Sequence, residues 1–208
     1  MRALCSCAYS TKGHPFYSVS LSHNSAVSTA VFSPDGSRIL TVSDYETTKV
    51  WDVQGNLLVE LKEHNDSVRS VVFSPDGSRI LTASYDRTAK LWDINGNLLA
   101  DLRGHTDIVN SAVFSPEGSR ILTASWDKTA KLWDLKGNLL ADLRGHTDKV
   151  NRAAFSPNGK YIVTASSDGT AIIWPTPETI MEYLKTAPIP KLTPEEKKEL
   201  GIEGFEIE

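Results

Sequence analysis

The chain has 208 residues, of which 40% are apolar and 23% charged, the balance of a soluble globular protein with one sizeable core or two small ones. Its formal net charge of −4 argues against nucleic acid and anionic lipid as partners. No run of about 18 apolar residues is present to span a membrane, and "MRALCSCAYS" lacks the apolar stretch of a signal peptide.

In chain order, residues 1–15 read as a loosely ordered N-terminus. Cys5 and Cys7 could supply half a metal site, but no further cysteine and no histidine cluster completes it. They are expected as free thiols, with no metal and no cofactor. The lack of a disulfide framework points to the cytoplasm. "FYSVSL", Phe16–Leu21, reads as a lone strand.

From there the chain repeats. Trp51, Trp92, Trp133 and Trp174 are spaced 41 residues apart, as are His23, His64, His105 and His146, and Phe32, Phe73, Phe114 and Phe155. A fixed period of this length marks a repeat array. His64–Gly104 and His105–Gly145 are identical at 32 of 41 positions. Within a unit, "VNSAVFSP", "SRILTAS", "AKLWD" and "LLADLRGH" are strand-like runs separated by turn residues, and no amphipathic helix fits between them.

These residues resemble the WD-repeat family. "GH" stands at Gly104-His105 and Gly145-His146, and "WD" at Trp51-Asp52, Trp92-Asp93 and Trp133-Asp134. The likeness runs from about Phe16 to Trp174. Repeat one departs with Ser22-His23, and the last repeat with Trp174-Pro175. The resemblance implies an all-β propeller of radial four-stranded blades.

Each unit carries His, Ser, Asp and Trp. As an enzyme, His64, Ser84 and Asp86 would be base, nucleophile and orienting group. As structure, Asp86 accepts from His64, His64 accepts from Ser84, and Ser84 accepts from the Trp92 indole. His105, Ser125, Asp127 and Trp133 repeat the set, as do His146, Ser166, Asp168 and Trp174. A catalytic site does not need three copies with a Trp in each, so no enzyme is expected. The tetrad also resembles that of WD-repeat blades. In repeat one Tyr45 replaces the Asp, with Asp44 one place early, so His23 is expected to lose its acceptor and blade one to be the least rigid.

Pro175 and Pro177 end the array after "TAIIW". The strand count is one, then three groups of four, then three, giving four blades if Phe16–Leu21 completes the last. The propeller therefore spans residues 16–174, with 16–21 as closing strand. Two chains swapping that strand would form an eight-bladed homodimer with two-fold symmetry, which we favour over a fragment of a longer propeller, another oligomer, or a four-bladed monomer, whose ring the resemblance implies would be strained. Residues 175–208 form a tail of two helices expected on the propeller rim. "TPETIMEYLKTA" has Thr176 as N-cap and Ile180, Met181 and Leu184 on one face. "LTPEEKKELG" has capping-box spacing at Thr193 and Glu196.

Where near-identical units differ, the differences carry information. The resemblance places three varying positions per unit on the top face around the channel. They hold Ala26, Ser67, Ile108 and Lys149; Ser28, Arg69, Asn110 and Asn151; and Asp44, Tyr85, Trp126 and Ser167. Trp126 is the tryptophan outside the 41-residue lattice. Exposed Trp and Tyr beside Arg69, Arg87, Lys128 and Lys149 have the composition of a binding hot spot for an acidic or phosphorylated peptide or protein loop. The expected function is a non-catalytic protein-interaction scaffold. The alternative is a purely architectural propeller, recently amplified or engineered, with no evolved ligand.

Overall fold

The computed structural model describes residues 5–9, 15–43, 48–62 and 64–186. Its strands fall into successive antiparallel sheets, and within each sheet a strand pairs with its neighbours in sequence. The first blade is β3 (Val27–Phe32), β4 (Arg38–Ser43), β5 (Thr48–Asp52) and β6 (Leu57–Leu61). The second is β7 (Val68–Phe73), β8 (Arg79–Ser84), β9 (Thr88–Asp93) and β10 (Leu98–Arg103). The third is β11 (Val109–Phe114), β12 (Arg120–Ser125), β13 (Thr129–Asp134) and β14 (Leu139–Arg144). The fourth has three strands, β15 (Val150–Phe155), β16 (Tyr161–Ser166) and β17 (Ala171–Pro175). The helix α1 (Pro177–Thr186) follows.

Two carboxylate turns build each of the first three blades, while in the fourth Asn158 takes the acceptor role of the first turn and Pro175 stands in place of the second carboxylate. In "SPDG", the Ser33 hydroxyl and the Ser37 hydroxyl and N–H all donate to Asp35, and Gly36 N–H closes back on the Ser33 carbonyl at 2.9 Å. Those donors, Ser33 foremost, lower the Asp35 pKa to about 2, and Ser74 and Ser78 lower Asp76 to about 2 in the same way. The Asp of "WD" shapes the next turn. Asp93 Oδ1 accepts the N–H groups of Asn95 and Asn97 at 2.8 and 2.9 Å, and Oδ2 accepts Asn97 Nδ2 at 2.7 Å. Gly96 closes that turn at φ +88°, where a Cβ would lie 2.5 Å from Val59 Cγ1 of the preceding blade.

The cores lie between blades rather than within them. Leu40, Val42, Val50 and Leu61 of the first blade meet Val68, Val71, Ile80 and Trp92 of the second. Leu81, Ala83, Ala89, Leu91, Ala100 and Leu102 then meet Val109, Ala112, Ile121 and Trp133. Leu122, Ala124, Ala130 and Leu132 meet Val150, Ala153 and Ile162. Strand alternation makes this possible: residues two apart face one neighbour and those between face the other.

Three findings differ from the sequence expectations. The N-terminal segment is not wholly loose, because β1 (Cys5–Tyr9) pairs with β2 (Pro15–Val19). The closing strand therefore takes β1 as its partner and is not paired with β17. A hairpin partner is near in sequence and costs little closure entropy, whereas β17 is over 150 residues away. Finally, α1 forms after Thr176 as expected but does not bury an apolar face on the rim. Polar ties hold it instead: Arg120 to Glu178 at 2.6 Å, Lys160 to Glu182 at 2.8 Å, and the Thr179 hydroxyl to the Lys160 carbonyl at 2.8 Å. Ile180, Met181 and Leu184 stay exposed. The second helix expected around Thr193 and Glu196 lies outside the described residues, as do Asp44 and Tyr45.

Candidate functional site: the top face of the blades

The polar relay in each blade runs through a threonine. The Trp92 indole N–H donates to Thr82 Oγ1 at 3.0 Å, and Thr82 Oγ1 lies 2.7 Å from His64 Nε2. His64 Nδ1 lies 2.8 Å from Asp86 Oδ2. With the proton on Nδ1, Thr82 donates to Nε2 and each group has a partner. Trp133, Thr123, His105 and Asp127 form the same chain, as do Trp174, Thr164, His146 and Asp168. In the first blade Trp51, Thr41 and His23 are linked likewise, at 2.7 and 2.6 Å.

This corrects the assignment of Ser84, Ser125 and Ser166 to the tetrads. Ser84 Oγ donates to the Ser67 carbonyl at 2.9 Å and accepts the Asp86 N–H at 3.0 Å. Ser125 and Ser166 donate to the Asp107 and Asp148 carbonyls at 3.0 Å. Thr82 and Ser84 are two residues apart on one face of β8, so spacing alone allowed either. The serine pins the loop before the innermost strand to the turn that carries Asp86.

Burial alone would raise the Asp86 carboxyl. Hydrogen bonds from His64 and Thr88, with the charge of His64 and the Asn65 N–H, outweigh it and hold the group well below the usual range. Asp127 is held down in the same way, and Asp168 by Thr170 foremost.

The innermost strands each carry a bulge. Val68 pairs with Ser84 and Ser70 with Ala83, so Arg69 is the extra residue. Ser28, Asn110 and Asn151 occupy the same place in their blades. A bulge re-aims its side chain, and here it directs one blade toward the next. Arg69 Nε donates to Asn110 Oδ1 at 3.1 Å, Asn110 Nδ2 to the Asn151 carbonyl at 2.7 Å, and Asn151 Nδ2 to Ser167 Oγ at 2.9 Å. Four of the sequence-chosen positions thus join in one ladder across three blades.

A second row runs beside it. Tyr85 meets Trp126 edge-on, with ring centroids 6.3 Å apart, and Lys149 Nζ sits 3.9 Å from the Trp126 ring centre. Backbone bonds fix the row: Tyr85 N–H to the Ser67 carbonyl, Trp126 N–H to the Ile108 carbonyl, and Ser167 N–H to the Lys149 carbonyl. Trp126 and Tyr85 are half-buried rather than exposed, because side chains from adjacent blades cover them. The Trp126 indole N–H is buried without an acceptor among the described residues. Arg87 and Lys128 are exposed one residue past Asp86 and Asp127, with left-handed φ of 70° and 72°.

A groove of about 400 Å³ opens between the first two blades, lined by Ser28, Thr29, Asp66, Ser67, Val68, Arg69 and Tyr85. Sequence comparison selected Ser28, Ser67, Arg69 and Tyr85. It missed Asp66, because Asp107 and Asp148 repeat it and a position that does not vary gives no signal.

No helix among the described residues is long and apolar enough to cross a membrane. No curated protein matches the chain significantly. The family described as "WD domain, G-beta repeat" matches residues 5–52, 55–93, 96–134 and 137–175, one match for each Trp-bearing unit. With the successive antiparallel sheets and the Trp–Thr–His relays, these matches show that the chain belongs to the WD-repeat family.

Proposed function

We propose that the chain is a non-catalytic scaffold that binds an acidic or phosphorylated peptide or protein loop on the face carrying the bulges. Repeats of this family generally mediate protein–protein interaction. The observation that carries the reading is the convergence of Tyr85, Trp126 and Lys149, from three blades, beside the Arg69 ladder. An aromatic pair rimmed by cations suits a ligand that combines an apolar anchor with negative charge. The unpaired Trp126 N–H adds a donor that a ligand could satisfy by turning the ring outward. Catalysis is disfavoured because Ser84 bonds to the Ser67 carbonyl while His64 engages Thr82. We place the protein in the cytoplasm as a homodimer whose eight blades close one ring, with β2 completing the partner's fourth sheet.

Selection from a random peptide library containing phosphoserine tests this reading. Selected peptides should be acidic or phosphorylated, and Trp126→Ala and Arg69→Ala should each weaken them at least tenfold with thermal unfolding little changed. Near-identity of the units favours the architectural alternative, under which no peptide is enriched over a scrambled control.

A further inference from the structure

The repeat makes equivalent positions directly comparable, and two faces break the pattern. Leu122 and Leu132 on the third blade are 0% exposed, and Leu81 and Leu91 on the second are 0% and 1%. On the fourth blade the same lattice positions are Val163 and Ile173, exposed to 41% and 70%. Ala165 and Ala171 are exposed where Ala124 and Ala130 are buried. At the other end, Val109 and Val150 are 0% exposed while their first-blade counterpart Val27 is 47% exposed. Ala30 is exposed where Ala112 and Ala153 are buried, and Phe32 is 66% exposed.

These two surfaces are the unmatched halves of an interface that the chain already makes three times. In each internal copy, the quartet typified by Leu122, Ala124, Ala130 and Leu132 covers the trio typified by Val150, Ala153 and Ile162. The fourth blade offers a quartet with no trio, and the first a trio of Val27, Ala30 and Ile39 with no quartet. Within one chain they do not cover each other, as their exposure shows.

We infer that the fourth-blade face of one chain docks on the first-blade face of a second copy. This rests on the homodimer reading and names its surface. A two-fold axis then makes the contact twice, each chain giving its quartet to the partner and receiving the partner's on its trio. Alanines at 165, 171 and 30 allow the sheets to approach as closely as the internal pairs do. The apolar ends stay covered only if the chain of contacts closes, because an unclosed series of the same contacts would grow into a filament.

Light scattering on the full chain, coupled to size exclusion, tests this with two single-face variants. Both positions are exposed in the single chain, so Ile173→Asp and Val27→Asp should leave the circular dichroism spectrum unchanged. The wild type should have about twice the chain mass of 22.8 kDa, and each variant alone about one chain mass. Mixing the two variants should restore dimer, because one of the two contacts then pairs an intact quartet with an intact trio. If the wild type is dimeric but either variant remains so, the surface is wrong and the homodimer stands. If the mixture stays monomeric, the head-to-tail arrangement is wrong. A monomeric wild type overturns the homodimer itself, and a mass above two chains overturns closure by a pair.

Discussion

Thr82, Thr123 and Thr164 each hold two partners that have no other use for the bond. Removing one hydroxyl strands a histidine nitrogen and an indole N–H in a buried site. Such groups cost about 1–3 kcal/mol each when unsatisfied. Thr123→Val should therefore destabilise the protein by about 2–4 kcal/mol in urea unfolding. Ser125→Ala should cost about 1 kcal/mol, since it frees one carbonyl and one backbone N–H near the surface. The reverse order would mean the relay runs through serine after all. The depressed carboxylates set the acid response. Asp35 and Asp76 sit at about 2 against an ordinary 3.8, and Asp86, Asp127 and Asp168 lie below the same ordinary value. A group whose native pKa is lowered contributes stability that is present above its unfolded pKa and lost as pH falls through the native value. The urea midpoint should stay level from about pH 7 to 5, drop below about 4, and keep dropping toward 2. Asp127→Asn should lower stability at neutral pH and flatten that acid limb.

At the scale of elements, the turns and bulges determine where side chains point. Arg87 and Lys128 occupy a left-handed position that Gly169 fills in the fourth blade at φ +84°. A non-glycine residue there costs about 1–2 kcal/mol. Lys128→Gly should thus be neutral or up to about 1 kcal/mol more stable, after the entropy it adds to the unfolded chain. Gly96→Ala should do the opposite, losing more than the backbone cost of about 1–2 kcal/mol alone, because a Cβ there would also press on Val59. Thermal unfolding of the two variants side by side checks both. The bulges explain why the varying positions of the sequence fell into one ladder. Arg69, Asn110 and Asn151 are the extra residues of their strands, released from strand pairing and free to reach the next blade.

Much of the whole molecule was legible because a fixed spacing of strands, turns and Trp residues repeats a pattern no single unit could establish. The strands from β3 onward and the start of α1 follow the turn residues, with β17 running to Pro175, one residue past the end that the sequence placed at Trp174. What the spacing could not resolve were choices between residues on one face, as with Thr82 and Ser84. Nor could it show effects set by neighbours, such as Lys149 covering Trp126 from the next blade. The pairing of β1 with β2 escaped for a related reason: an edge strand takes the nearest available partner, and strand count alone is silent on which one that is. The blades form an array whose inner surfaces repeat faithfully while its top face varies, and that contrast underlies the functional reading. The contrast makes Trp126 the proposed contact point for an acidic ligand. The most direct measurement is the indole N–H resonance of Trp126 in a nitrogen-labelled sample, assigned by its loss in Trp126→Phe and titrated with a selected phosphopeptide. A saturable shift of that resonance is expected, with those of buried Trp92 and Trp133 unmoved. A peptide that binds while the Trp126 resonance stays in place would contradict it.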